Sequence, residues 1–331
     1  MHVEGHPFHE RNNVNGVAIG SILDYQVLPL EPRVQELQEA YIRKVVDTVH
    51  DLPNVLWEVA NESSGGGKVD LEFAGYLGLE EVPEWGDSTE WQYWVIDVVK
   101  RHEQDRGYEP HPIGITMQFP VPDQAKVNEP LWASRGEWIS PGFEERGWMP
   151  GNPETPAGWF ADPPPADGRK VAIADTDHFG PGAGDALWAW KTFLRGHHPI
   201  LMDFGLIGGV NPLDPKAGGP MAFEVFEPAR HAMGDTVRYA ERIGLLDMEP
   251  RPELSSTRFT LANPGVEYLT LQPELGAFTV TLEPGRYVVE WFGVDGRETI
   301  EAKDITVDIE GPTDLTSPLN TEPSVLYLRS A

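Results

Sequence analysis

The chain has 331 residues, more than one compact domain usually holds, and its 40% hydrophobic content with 11 Trp suits a folded protein with a sizeable core. Twenty-five basic against 53 acidic side chains give a formal net charge of −28, which argues against nucleic acid and anionic membranes as partners and favours neutral substrates. Zero cysteines exclude disulfides, thiol nucleophiles and thiolate zinc sites, and with neither a leader-like start nor a long apolar run the expectation is a soluble protein, cytoplasmic, or secreted if a signal was removed.

Residues 1–30, with His2, His6, His9 and Asn12-Asn-Val-Asn-Gly16, read as a polar loop. From Pro32, the spacing of Val34, Leu37, Tyr41, Val45 and Val49 predicts an amphipathic helix to about His50. Residues 54–62, Asn-Val-Leu-Trp-Glu-Val-Ala-Asn-Glu, form a near-continuous apolar strand that ends in Asn61 and Glu62 ahead of a Ser-Ser-Gly-Gly-Gly break. Such a run suits a parallel strand buried on both faces, and the carboxyl end of such a strand is where α/β barrels place their chemistry. A helix from Thr89 follows, with a Thr89–Gln92 capping box and Trp91, Trp94, Val95 and Val98 on one face. Next come a strand over 111–120 and a Pro-, Gly- and Trp-rich stretch over 120–169 of the kind used as lids and binding loops, with a candidate short strand at 137–141. A strand over 170–175, a helix over about 185–195, a strand over 199–204 and a helix over about 224–246 continue an alternating α/β series. Beyond the proline-stiffened Glu249–Glu253 linker, short alternating runs at 278–282, 287–292, 305–309 and 325–328 predict an antiparallel β-sandwich. The expected domains are 1–252, catalytic, and 253–331, the sandwich, which is expected to pack on its neighbour.

Glycosidic bonds are most often cleaved by two carboxyl groups, one donating a proton to the leaving oxygen and one attacking the sugar or activating water. Glu62 is the first catalytic candidate; the plainer alternative is a carboxylate that caps the next helix or pairs with an Arg. Asp175, ending its strand, and Asp177, two residues on, are candidates for nucleophile or base, on one side of the chain if it stays extended. The other of the two, with His178, is a substrate or structural ligand. The plainer alternative for Asp175-Thr-Asp-His178 is a turn or helix cap, and a metal reading would need further ligands. No metal and no other cofactor is expected. Glu58 should face the same side of its strand as Glu62, as a supporting partner or a buried acid. Asn61 is placed to hydrogen-bond a sugar hydroxyl, and Gln118 and Asp203, near the ends of their own strands, are secondary binding candidates. Trp57, Trp85, Trp138, Trp159 and Trp188 are candidate platforms for sugar C–H faces, with Trp138 and Trp159, inside the 120–165 loop, the better ones.

The segment Asn54–Glu62 resembles the fourth strand of clan A glycoside hydrolases, (β/α)8 barrels that act with retention. His6-Pro-Phe, Asn12–Gly16, Ala40–Val49, Lys170–His178 and Trp190–Gly196 are similar to a group of bacterial cellulase-like proteins. Phe259–Gly265, Tyr287–Trp291 and Val325–Leu328 resemble a β-domain often labelled collagen-binding. The resemblance implies Glu62 as acid/base, a nucleophile at the end of the strand 170–175, and Asn13, inside the matching Asn12–Gly16 segment, as a substrate-binding residue. This chain departs from the clan in offering Asp where the nucleophile is usually Glu, so either the backbone compensates or the mechanism inverts. A carboxyl separation of roughly 5–5.5 Å favours retention and roughly 6.5–9.5 Å inversion. If Glu62 ends a fourth strand, the 61 residues before it supply a loop and one helix rather than three βα units. The expected fold is therefore an incomplete TIM-type (β/α) barrel of about five parallel strands plus the C-terminal antiparallel sandwich. Its open edge would need cover, from a homo-oligomer or from the 63–90 and 120–169 loops. A β-glycosidase acting on glycosides or oligosaccharides is the first reading, with carbohydrate as the partner; a carbohydrate-binding protein without catalysis and a metal-dependent hydrolase are the alternatives.

Overall fold

The computed structural model describes residues 5–21, 23–68, 85–142, 144, 158–179, 184–203, 205 and 223–331. The chain divides into two compact units, 1–146 and 147–331. His2, from the expected N-terminal loop, and much of the 63–90 and 120–169 loops lie outside the described residues.

In the first unit, α1 (Pro32–Val49) starts with proline, whose missing N–H costs nothing at that position, and the Glu31 carboxylate accepts the Val34 N–H at 3.0 Å. Its buried stripe runs through Val34 and Val46, with Leu37 and Ile42 against the same core, whereas Tyr41, expected on that stripe, is 71% exposed. Gln38 explains the rotation: it turns inward to accept the Trp91 indole N–H at 2.8 Å and to donate to the Tyr25 carbonyl at 2.7 Å.

Three short strands, β1 (Trp57–Glu58), β2 (Ile113–Thr116) and β3 (Trp138–Ser140), pair in parallel in that order. All four residues of β2 are buried, as a central parallel strand requires. Gly114 is demanded by the register that sets it opposite Trp138, because a Cβ there would collide with the Trp138 ring and carbonyl. Between β1 and β2 runs α2 (Thr89–Arg106), which buries Trp91, Val95 and Val98 and ends on Gly107 in the left-handed region, φ 68°. Its cap differs from the expected Thr89–Gln92 box: Ser88 holds the cap position, and the Asp87 carboxylate accepts the Thr89 N–H at 2.9 Å and the Thr89 hydroxyl at 2.6 Å.

In the second unit, β4 (Val171–Asp175) and β5 (His198–Ile200) pair in parallel, with α3 (Ala186–Leu194) between them in sequence and α4 (Glu227–Ala240) after them. The expected α/β class thus holds: among the described residues, five parallel strands alternate with helices and an antiparallel part follows. That part comprises β6 (Glu249–Pro250), β7 (Thr260–Asn263), β8 (Glu267–Gln272), β9 (Ala277–Leu282), β10 (Gly285–Gly293), β11 (Thr299–Val307), β12 (Gly311–Thr316) and β13 (Ser324–Ser330). Six of these strands form one sheet, ordered β11-β10-β13-β8-β7-β6, and β12-β9 form another. Tyr268, Tyr287, Trp291 and Leu328 of the first share a core with Phe278, Val280, Leu282 and Leu315 of the second, as in a sandwich.

A separate core joins α3 and α4 to the six-stranded sheet through Trp190, Tyr239, Phe259, Leu269 and Phe292. Trp190 and Tyr239 are 0% and Phe292 1% exposed, and full burial of side chains this large contributes about 2–3 kcal/mol each. Residue 252 therefore falls within one packed unit, the sheet closing over the apolar faces of the helices that precede it. Among the described residues no helix is long and apolar enough to cross a membrane.

Candidate active site

Glu62 follows β1 by four residues, is half-buried, and sits in the left-handed backbone region at φ 43°. A non-glycine residue held there costs about 1–3 kcal/mol and persists only where its surroundings fix it. Here the fixing group is Thr116, the last residue of β2 and 5% exposed. Its hydroxyl accepts the Glu62 N–H at 3.1 Å and donates to the Ala60 carbonyl at 3.1 Å. Asn61, the neighbour of Glu62, is exposed. So is Glu58, which contrasts with the buried acid expected there: β1 alternates Trp57 toward Glu103 of α2, at 3.4 Å from the indole nitrogen, and so sends Glu58 to the other face. The left-handed turn at Glu62 also ends the period-two pattern on which a shared side for the two glutamates depended.

The glycine-rich segment after Glu62 is stapled to the end of the 111–120 strand. Ser63 accepts the Phe119 N–H at 3.1 Å, and Gly65 and Gly67 donate to the Pro120 carbonyl at 3.1 and 3.0 Å. A side chain at Gly67 would run into the Val121 backbone, which is why that position is glycine. Gln118, 2% exposed, is engaged in the same staple: its amide donates to the Ser64 carbonyl at 3.3 Å and to the Thr89 hydroxyl at 3.0 Å. The side chain proposed for substrate thus ties the loop to the start of α2.

In the second unit, Asp175 ends β4 and the chain turns at once into a 3-10 helix, Thr176–Phe179. The chain does not stay extended past Asp175, the condition for Asp175 and Asp177 to share a side; it turns, and the Asp177 N–H donates to Asp175 Oδ1 at 3.0 Å. Both carboxyls are half-buried. Burial raises the pKa of Asp175, against that hydrogen bond. Burial, and then the Asp175 charge, raise that of Asp177, against His178. His178, on the same turn, is 2% exposed.

Several expected binding residues are engaged within the protein. Asp203 takes the Arg230 guanidinium at 2.5 and 2.9 Å and the Gly205 N–H at 3.0 Å. Asn13 donates to the His9 and Val17 carbonyls at 2.9 and 3.0 Å and accepts the Asn15 N–H at 3.0 Å, knitting the N-terminal loop. Trp138, Trp159 and Trp188 are 6%, 5% and 1% exposed, while Trp57 and Trp85 are half-buried. Trp138 lies over Gly114, so its ring is taken up by packing within the sheet.

Within the first unit the structure therefore gathers Asn61, Glu62 and Thr116, and within the second Asp175, Asp177 and His178. Thr116 was missed in the sequence, where the signal is a hydroxyl residue closing the strand that pairs with the one delivering Glu62. Among the described residues no group of three or more His, Asp or Glu side chains is disposed to hold a metal ion.

No family model and no curated protein matches the chain. Solved structures do. A protein described as a glycoside hydrolase superposes with a TM-score of 0.55 at 12% identity, over 89% of this chain and 69% of that one. A glycoside hydrolase family 5 protein from Bacteroides vulgatus gives 0.57 at 10% identity, over 89% and 67%. At such identities the likeness is one of fold: this chain has the fold of glycoside hydrolases.

Proposed function

We propose that the protein is a glycoside hydrolase that cleaves β-linked glycosides or oligosaccharides with two carboxyl groups, Glu62 donating the proton and Asp175 serving as nucleophile or base. The observation that carries the reading is the fixed, left-handed Glu62 just beyond a parallel strand, the position where (β/α) enzymes carry their chemistry. The fold likeness to glycoside hydrolases supports it. Of the two aspartates, Asp175 receives the Asp177 N–H, which favours its ionised form; Asp177 has the Asp175 charge beside it, which favours its protonated form. On this reading Asp175 is the anion that attacks the sugar or activates water. Asn61 binds a sugar hydroxyl.

The test is a panel of aryl and unactivated glycosides, assayed across pH with the wild type and Glu62→Gln. Hydrolysis of unactivated substrates by the variant should fall by about 10²–10⁴-fold, the range of one general acid. Turnover retained at the wild-type level removes Glu62 from the mechanism. Proton NMR of the first-formed anomer separates retention, which clan A likeness favours, from inversion. We also infer that 1–252 is the catalytic domain, that 253–331 is a sandwich like the β-domains labelled collagen-binding, and that copies associate over β1, which among the described residues pairs with β2 alone. A clean monomer in sedimentation would remove the association.

A further inference from the structure

The chain has 53 acidic side chains and 25 basic ones, and many of the cations meet a carboxylate. Arg230 pairs with Asp203, Arg242 with Glu290, and Arg297 with Asp235. Among the described residues Lys191 and Arg258 have no such pair, and they line the same cavity. Lys191, half-buried on α3, donates to the Ala161 carbonyl at 3.1 Å rather than to a carboxylate. Arg258 is exposed and has no carboxylate partner among the described residues.

Both line one cavity of about 610 Å³ in the second unit, within the size range of small-molecule sites. Phe259 also lines it, with Lys191 Nζ 5.4 Å and the Arg195 guanidinium carbon 4.8 Å from its ring centre. Thr257 and Gln272 add a hydroxyl and an amide to the walls. Two carboxylates are present as well. Asp162 is already met by Arg195, whose Nη2 donates to it at 2.5 Å, and Glu274 stands exposed in the turn before β9. The side chain of Arg195 is 1% exposed, and its Nε has no hydrogen-bond partner. Arg258 occupies the left-handed region at φ 66°, in a turn closed by its N–H on the Ser255 carbonyl at 3.2 Å. Strain of that type costs about 1–3 kcal/mol and gathers at ligand sites.

We propose that this cavity binds an acidic saccharide, a sugar unit bearing a carboxylate, with Lys191 and Arg258 meeting the carboxylate. Lys191 has two protons left after its bond to Ala161, and Arg258 offers a planar fork that fits a carboxylate with two bonds. A pair of cations in one cavity is what an acidic sugar needs here, since so negative a surface repels it until screened, over about 8 Å at physiological salt. That the ligand is a saccharide rests on the glycoside hydrolase reading; that it is an anion rests on the two cations.

Calorimetric titration of the wild type with digalacturonate and with the neutral galactose disaccharide tests this. Digalacturonate should bind at least about tenfold more tightly, with the advantage shrinking as salt rises. Arg258→Gln and Lys191→Met should each weaken digalacturonate binding by about tenfold, the effect of one charged hydrogen bond, with neutral-sugar binding and the thermal midpoint of Arg258→Gln unchanged. Equal affinity for the two sugars, no binding of either, or full affinity in Arg258→Gln overturns the site. Turnover is not read in this titration, so a Glu62→Gln variant that hydrolyses normally overturns the catalytic reading and leaves the binding result standing.

Discussion

Thr116→Val is the sharpest test of how the Glu62 backbone is held. The substitution keeps shape and β-branching in a strand whose residues are all buried, and removes only the hydroxyl. Two contacts of 3.1 Å go with it, leaving the Glu62 N–H and the Ala60 carbonyl without that partner. A net hydrogen bond is worth about 1 kcal/mol, and a buried orphan costs about 1–3 kcal/mol. Since Glu62 and Ala60 are half-buried and water can reach them in part, the expected loss is about 1–2 kcal/mol, read as a lower midpoint in urea at unchanged slope. The left-handed turn at φ 43° should relax once its clamp is gone. Misplacing a catalytic group by an ångström costs up to about 100-fold, so kcat on glycosides should drop at least about tenfold with little change in KM. A variant with wild-type midpoint and wild-type kcat would show that the hydroxyl does not hold Glu62.

Three titrations follow from the same structure. Burial raises Asp175 above its ordinary 3.8, so its charge opposes folding: stability is fully present below that value and lost as pH rises through the folded one. Asp175→Asn should therefore raise the urea midpoint at pH 7 and leave it unchanged in acid; no gain at pH 7 would contradict this. His197 runs the other way. Burial, against its hydrogen bond to the Pro164 carbonyl, lowers it from 6.5 to about 4, so stability is full above 6.5 and falls as the pH drops toward 4. The shift amounts to about 3 kcal/mol, and His197→Asn should flatten the acid limb of thermal midpoint against pH; an unchanged limb would refute it. For His111, burial lowers the pKa, but its bonds to Glu103 at 3.0 Å and to the Leu52 carbonyl at 2.9 Å, with the Glu103 charge, leave it raised. Its contribution is present below 6.5 and lost as pH climbs through the folded value, so His111→Phe should be least affected by alkali, and an NMR titration of His111 at or below 6.5 would refute the sign.

The fold was legible because its signals are local. The helix spacing from Pro32, the apolar run over 111–120, and the alternation from Phe278 onward each state their own periodicity, and the structure meets them within a few residues. The candidate site was legible only where a residue's place along one strand decides the reading. The positions of Glu62 and Asp175, just beyond β1 and at the end of β4, are of that kind. Gln118, Asn13 and Asp203 are not: each was read as a polar group awaiting a ligand, whereas each serves a partner that the sequence does not display, namely the Ser64 carbonyl, two loop carbonyls, and Arg230 27 residues away. Buried backbone groups must be paired, and loops that run close to a sheet recruit nearby amides and carboxylates to do it. Trp138 was misread for a related reason, since only the register opposite Gly114 shows that its ring fills the space of a missing side chain. The same physics separates the remaining carboxylates. Thr116 lies 54 residues from Glu62 and holds its main chain. A residue whose backbone is clamped by another is being positioned, and in a glycoside hydrolase fold a positioned carboxylate is where the reaction is to be sought.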